Sequence, residues 1–440
     1  AGSPDARRAL TRLARVAASL DKSDDPLRLS EACLDALVRV CGASEFFAEL
    51  LAGNPSLVEA LEGATLERVA SRDHRALLRA AIDGETGFGG ELSALRRAWA
   101  HLLVELGACD LRGELELSES NRLQTALASA SLNAGYLIAR RELARRFGRL
   151  AAGPRLSVLG LGRLGSGGMD YGSDLDLVVV YDERVRPPLE GFTHEGAYAR
   201  LCELIVAALS GMTRDGYLYR VDTRLRPDGR DGPVASASRA FVRYLSERAG
   251  AWEWLAYVKL RAVAGDLDFG RAVEAEARRA VHEAARAADP SRLRDETRHV
   301  RERLERERTR RGARSTDIKY GAGGMLDVYF AARYLQLRDD VPDAAEDRST
   351  RGTLARLRAA GSLSEEDFRA LDEGYRLLRT LDHHLRLVVG RSTRLPAGDH
   401  AALRDLSRGC GFDTSASLTE TLAAHMRAVR ASYERITAAQ

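Results

Sequence analysis

A mostly helical α+β chain is predicted, with one small sheet between an N-terminal helical region and a C-terminal helical bundle. Three observations predict it. Ala, Leu, Arg and Glu dominate a 440-residue sequence that is 45% hydrophobic, 30% charged and only 6% aromatic, the balance of a helix-rich protein. Apolar residues recur three and four apart over most of its length. That period breaks near Arg155, where two short apolar runs flank a glycine-rich stretch. A length of 440 residues points to two to four domains, and the changes of period place them at 1–150, 151–266 and 267–440.

The N-terminal region opens with Leu10, Leu13, Val16 and Leu20, then Leu34, Leu37, Val38 and Cys41, each set the buried stripe of a helix. Asn54-Pro55-Ser56 predicts a helix entry, Pro fixing the first turn. The segment 83–90, rich in glycine, breaks the pattern, and the periodic stretch from Glu91 to about Leu150 predicts two or more packed helices. Residues 156–161 and the β-branched run 175–181, which ends at Asp182-Glu183, read as strands. A glycine-rich loop, 162–173, joins them. An amphipathic helix near 195–209 and a third strand over 217–225 follow, and in that strand Leu218, Arg220, Asp222 and Arg224 share one face.

After Ser238 helical periodicity returns. The segment 292–314 mixes Arg and Glu around Leu293, Val300 and Leu304, which predicts a solvated helix with a narrow buried stripe. A second glycine-rich turn, 319–324, precedes a helix from Met325 to about Leu337; Ser364-Glu365-Glu366-Asp367 makes a capping-box start, and a last helix covers about 418–436. Trp252 and Trp254 are expected as packing anchors. Asp228 and Asp231 flank Gly229-Arg230 in a turn after Pro227, where turn chemistry alone favours Asp. His383-His384 lies on a helix with no ligand pattern around it beyond Asp382.

Charge and cysteine usage narrow the function. The 67 basic and 64 acidic residues nearly cancel, leaving +3, so no long-range field for nucleic acid is expected. Five scattered cysteines, none in a CxxC pair, support neither a disulfide framework nor a zinc site. No long apolar run and no apolar leader occurs, so a soluble cytoplasmic protein is expected. Ala1-Gly2-Ser3-Pro4 reads like a cloning scar, and the chain is expected to be an excised part of a longer polypeptide.

The chemistry is concentrated around the first two strands. Asp174 and Asp176 lie two apart at the start of a strand, so both carboxylates project from one face while Leu175 points to the other. Oxygen ligands placed this way suit two Mg²⁺ ions shared with a nucleoside triphosphate. Gly165-Ser166 precedes them, glycine letting backbone N–H groups approach phosphate and serine offering a hydroxyl. Asp222, in the third strand, is the candidate third ligand or base, with Arg224 and Arg226 beside it as phosphate binders. A lone Asp pair or glycine loop says little. The joint order of Gly-Ser loop, Asp-bearing strand, helix and second Asp-bearing strand resembles the nucleotidyltransferase sheet of the DNA polymerase β type.

Four ordered stretches, 160–182, 219–236, 251–266 and 317–330, together resemble the glutamine synthetase adenylyltransferase family, and 43–61 is similar to the helical segment ahead of its catalytic domains. The resemblance spans about residue 40 to the end. It implies two homologous halves in the whole enzyme, one removing AMP from a tyrosine of glutamine synthetase by phosphorolysis and one attaching AMP from ATP. It further implies glutamine synthetase and a PII-type nitrogen signal protein as partners. Lys319, by its place beside the second glycine-rich turn, is a candidate phosphate contact. The chain carries one such site. Asp317-Ile318-Lys319 and Leu326-Asp327 resemble the adenylylating half more than the removing half.

Two positions depart from the family pattern. Arg163 stands where Lys is usual, and Tyr329 stands where Glu is usual. The second change puts the efficiency or direction of catalysis in doubt if that Glu meets the substrate. Two rival readings remain: a nucleotidyltransferase with a small-molecule acceptor, which a deep concave pocket would favour, and a module that binds nucleotide without turnover.

Overall fold

The structure is a computed structural model and describes residues 6–21, 29–148, 150, 153–309, 315–343, 346–390, 392–396 and 400–438. The scar-like start and residues 310–314 of the charged segment lie outside the described residues. In chain order the elements begin with α1 (Ala6–Leu20), α2 (Glu31–Ala43), α3 (Glu45–Gly53), α4 (Leu66–Ala70), α5 (His74–Asp83), α6 (Gly87–Leu111) and α7 (Leu117–Phe147). Then come β1 (Leu156–Gly160), α8 (Gly162–Ser166), β2 (Leu175–Tyr181), α9 (His194–Ser210), β3 (Val221–Asp222), β4 (Ser236–Ala237), α10 (Ser238–Glu247), α11 (Ala251–Tyr257) and β5 (Arg261–Gly265). The chain closes with α12 (Leu267–Ala287), α13 (Pro290–Arg308), α14 (Met325–Arg338), α15 (Thr350–Ala359), α16 (Glu365–Val388), α17 (His400–Gly409) and α18 (Ser415–Ile436). Mostly helical α+β is therefore the class. Among the described residues no helix is long and apolar enough to cross a membrane.

The chain divides into two compact units, residues 1–244 with 260–277 and residues 245–259 with 278–440. The boundary expected at 150 falls inside the first unit. The reason is packing: α7 lies along α9 and against β5, and Leu132, Tyr136 and Leu143 of α7 share one core with the sheet. β1 pairs antiparallel with both β2 and β5, while β3 and β4 pair parallel with opposite ends of β2. Leu175, Leu177, Val179 and Tyr181, the alternate residues of β2, meet Leu201, Ile205 and Leu209 of α9 in that core. Burial of each such side chain contributes about 1.5–3 kcal/mol.

Four local expectations are corrected. The strand predicted over 217–225 is only Val221–Asp222, because Asp222 Oδ1 accepts from the Arg224 N–H at 2.9 Å and folds the chain into a turn. The linker after β1 is partly helical, α8, closed by Gly167 in the left-handed region at φ 74°. The run Arg261–Gly265, too short and small to announce itself, is an edge strand whose last residue takes φ 83°, where an added Cβ would stand 2.3 Å from the Leu156 carbonyl oxygen. α6 also begins earlier than predicted, at Gly87 inside the expected breaker.

In the second unit, Leu378, Leu381 and Leu385 of α16 face Leu418, Leu422 and Met426 of α18, with Ile318 and Met325 between. Ser364 caps α16 as predicted, its hydroxyl accepting from the Asp367 N–H. Trp254 is buried and its indole donates to the Leu245 carbonyl at 3.0 Å. Trp252, expected to be a second anchor, is 40% exposed. On α13, Leu293 and Val300 are buried as expected, but so is Arg301, wholly. Its guanidinium pairs with buried Asp327 and donates to the Gly321 carbonyl at 2.9 Å. Leu304 is only partly buried.

Candidate nucleotidyltransferase site

Asp174 and Asp176 reach one face of β2 by the alternation that sends Leu175 and Leu177 into the α7–α9 core on the other. Asp176 stands opposite Asp222 in the parallel register of β2 and β3, and neighbouring strands lie about 4.8 Å apart. The two residues thus share a face of the sheet. Gly162 shapes the third side: its φ is +55°, and a Cβ there would come within 1.8 Å of Asp176 Oδ2. Only glycine gives the carboxylate this room. The backbone is pinned as well, since the Leu161 N–H donates to the Asp176 carbonyl and the Leu175 N–H to the Arg220 carbonyl, both at 2.9 Å.

Electrostatics separate Asp222 from its neighbours. The Arg224 guanidinium donates to Asp222 through Nε at 3.0 Å, which holds that carboxyl below the usual carboxylate range, with help from the Arg224 N–H and the charge of Arg230. Arg224 is itself held charged chiefly by Asp222, then by Asp176 and Asp174, so its charge lies in the field of all three carboxylates. The expected cluster of three metal ligands is not preformed. Among the described residues no three His, Cys, Asp or Glu side chains stand close enough to hold one ion. Arg226, expected at phosphate, is spent on the turn: it donates to the carbonyls of Thr223, Arg230 and Gly232 at 3.0–3.1 Å.

The Gly-Ser pair differs from its expectation too. Gly165 is buried in α8 and its N–H donates to the Leu161 carbonyl at 2.8 Å. The Ser166 hydroxyl donates within the same turn, 3.1 Å from the Gly162 carbonyl oxygen. Both residues shape the turn that carries Gly162. Arg163, the Lys of the family pattern, lies 3.5 Å from Asp170.

Residues that sequence reasoning passed over hold the aspartates' two approach segments. From α7, Asn121 donates to the Met169 carbonyl at 2.9 Å, and the Met169 N–H donates to Thr125 Oγ1 at 3.2 Å. Buried Asp110 accepts from Ser120 at 2.6 Å and from the Tyr171 hydroxyl at 2.8 Å. From α6, buried Arg96 donates to the Gly216 carbonyl at 2.9 Å, and Trp99 to the Tyr219 hydroxyl at 2.9 Å. These are polar positions on helices that otherwise read as core, and their partners lie as far as 120 residues away. No local pattern could have found them.

Lys319 and Tyr329 belong to the second unit. The Lys319 ammonium sits 5.1 Å from the Tyr320 ring. Tyr329 donates its hydroxyl to the Leu255 carbonyl at 2.7 Å, and the buried Lys259 ammonium lies 4.3 Å from its ring centre. Where the family pattern has a carboxylate, this chain places an aromatic face under a cation. Asp327, half of the pair that pointed to the adenylylating direction, is buried in ion pairs with Arg301 and Arg430 and accepts from the Gly323 N–H at 2.6 Å.

A short sheet that presents paired aspartates beside a Gly-Ser turn is the arrangement expected of a nucleotidyltransferase domain. The family model for glutamate-ammonia ligase adenylyltransferase matches residues 34–276, and that for GlnD PII-uridylyltransferase matches residues 298–437. The chain belongs to the glutamate-ammonia ligase adenylyltransferase family. It is 32% identical over 410 residues to the bifunctional glutamine synthetase adenylyltransferase/adenylyl-removing enzyme of Thioalkalivibrio sulfidiphilus, covering 88% of this chain and 42% of that protein. The enzymes of the same name from Streptomyces avermitilis and Xanthobacter autotrophicus are each 32% identical, over 94% and 95% of this chain and 40% and 42% of their own lengths. The chain thus spans about two fifths of the curated relatives it matches.

Proposed function

We propose that this chain transfers AMP from ATP to a tyrosine of glutamine synthetase. The observation that carries the reading is Asp174 and Asp176 on one face of β2, with Asp222 in register beside them and Gly162 opened to receive Asp176. The donor set fits a divalent cation of the Mg²⁺ kind, which takes carboxylate oxygen; Asp174 and Asp176 would hold it, joined by Asp222 once Arg224 turns to another anion. Bound there, Mg²⁺ supplies charge neutralisation for in-line displacement at phosphorus.

The chain's own groups have distinct parts in this reading. Arg224, more than half exposed at its side chain, can exchange Asp222 for a phosphate oxygen, because a guanidinium fork suits either. The α8 turn with Gly165 and Ser166 keeps Gly162 in place beside Asp176. Asp222 is a poor proton acceptor while Arg224 holds its pKa down, so it positions rather than deprotonates an acceptor tyrosine whose unperturbed pKa is about 10. The match of residues 298–437 to a PII-uridylyltransferase model supports a PII-type signal protein as a second partner.

The same geometry serves the reverse reaction, in which phosphate attacks the tyrosyl-AMP phosphorus, the bond to the tyrosine oxygen breaks, and ADP and the free tyrosine hydroxyl are the products. The test is one experiment with two arms: unmodified glutamine synthetase with ATP and Mg²⁺, and adenylylated glutamine synthetase with phosphate and Mg²⁺, each read by intact mass. Gain of AMP in the first arm is expected. Loss in the second arm alone would reverse the direction, and no change in either would sink the assignment.

A further inference from the structure

Within the first unit, a cleft of about 180 Å³ lies beside α5, α7 and the end of β5, away from the aspartates in sequence and lined by Arg75, Arg79 and Arg140. Other arginines near α5 and on α7 are paired with carboxylates: Arg72 with Glu105 at 2.7 Å, Arg145 with Glu91 at 2.6 Å and Arg146 with Glu142 at 2.6 Å. Arg79 has Asp83 at 3.4 Å, and Asp83 is shared with Arg141. Arg75 and Arg140 have no carboxylate partner among the described residues. Like charges gathered at one cleft repel, and an anion between them relieves that repulsion.

The cleft is also built. Arg75 and Arg79 are one turn apart on α5, which stacks them on one face, and α5 packs against α7. The Arg140 guanidinium lies 5.6 Å from the Tyr136 ring centre, and that ring is anchored by its hydroxyl, which donates to the Pro154 carbonyl at 3.2 Å. Ala130 and Ala134 also line it, where larger side chains would take up space.

We propose that this cleft binds a small oxyanion, phosphate or carboxylate, through the forks of Arg75 and Arg140. Planar guanidinium groups take either anion by two parallel hydrogen bonds. α7 carries both this cleft and, about four to five turns before Arg140, the Asn121 and Thr125 contacts to Met169, so occupancy bears on the same helix that steadies the approach to Asp174.

The test is calorimetric titration at constant ionic strength with inorganic phosphate and, separately, with succinate. It is done in the D174N/D176N background without added Mg²⁺, so that phosphate held through a metal at those aspartates is set aside, and the arginine variants separate the cleft from any other anion site. One of the two anions is expected to bind, and R75Q/R140Q to weaken it about tenfold or more. R75K/R140K, which keeps the charge while losing the fork, is expected to recover only part of the affinity. Equal binding with and without the two arginines, or no binding of either anion, overturns the proposal. Anion binding in D174N/D176N stands or falls independently of AMP transfer.

Discussion

Each unit holds a glycine-rich turn, and the two do opposite work. In the first, Gly162 at φ +55° makes room for a side chain, since its missing Cβ would collide with the Asp176 carboxylate. In the second, Gly323 at φ +73° makes room for backbone, its missing Cβ lying 1.8 Å from the Met426 carbonyl oxygen. One turn leaves a charged group accessible on a strand. The other brings two helical segments together and seals Asp327 against Arg301 beneath them. A glycine-rich turn is thus neutral evidence about phosphate; what its absent side chains would strike decides whether it serves chemistry or packing.

The sharpest way to break that contrast is at the aspartates. D174N/D176N should lower AMP transfer by about 1,000-fold or more, several kcal/mol of barrier, with the melting temperature unchanged or raised because neighbouring charges are removed; undiminished transfer ends the assignment. In the second unit D327N leaves Arg301 and Arg430 facing a neutral group and should cost about 3–5 kcal/mol in urea unfolding, as breaking a buried pair does. A shift under about 1 kcal/mol would mean the network is not structural.

G323A should destabilise the second unit by about 2–3 kcal/mol, because neither the positive φ nor a backbone carbonyl gives way. G162A should cost less, about 1–2 kcal/mol, since Asp176 can swing aside, yet it should depress transfer more than stability. If G162A and G323A behave alike in both assays, the distinction drawn between the turns is wrong.

The smallest effect concerns Asp222. Its folded pKa lies below the unfolded value of about 3.9, so the stability it adds is complete above that value and is lost as pH falls through the folded one. R224A removes the cause. Wild type should therefore lose slightly more stability than R224A between about pH 4 and pH 2, by less than about 1 kcal/mol because the pair is partly exposed. Parallel acid limbs in the two proteins would show that Arg224 does not hold Asp222.

Much of this was legible in order along the chain. β2 begins and ends where the β-branched run does, and the face assigned to Asp174 and Asp176 follows from alternation alone, because one face had to enter an apolar core. The helices were readable from their apolar period. The third strand was not: local pattern favours extension over 217–225, but the Asp222 side chain competes for the backbone and ends the strand after two residues. Arg226 and Arg301 were misjudged for a related reason, that a guanidinium's partners are carbonyls and carboxylates scattered along the chain.

By itself, then, the sequence determined the class of fold, the strand that carries the aspartates and the family to which the chain belongs. Those depend on periodicity, alternation and ordered motifs, all of them local or collinear properties. Tertiary structure decided which charges face solvent and which are sealed, that Asp222 meets Arg224 before any third partner, that α6 and α7 brace both approaches to the site, and that two similar turns differ in purpose. These depend on contacts between residues far apart in the chain, where the free energy of a buried or paired group is set by its neighbours rather than by its type.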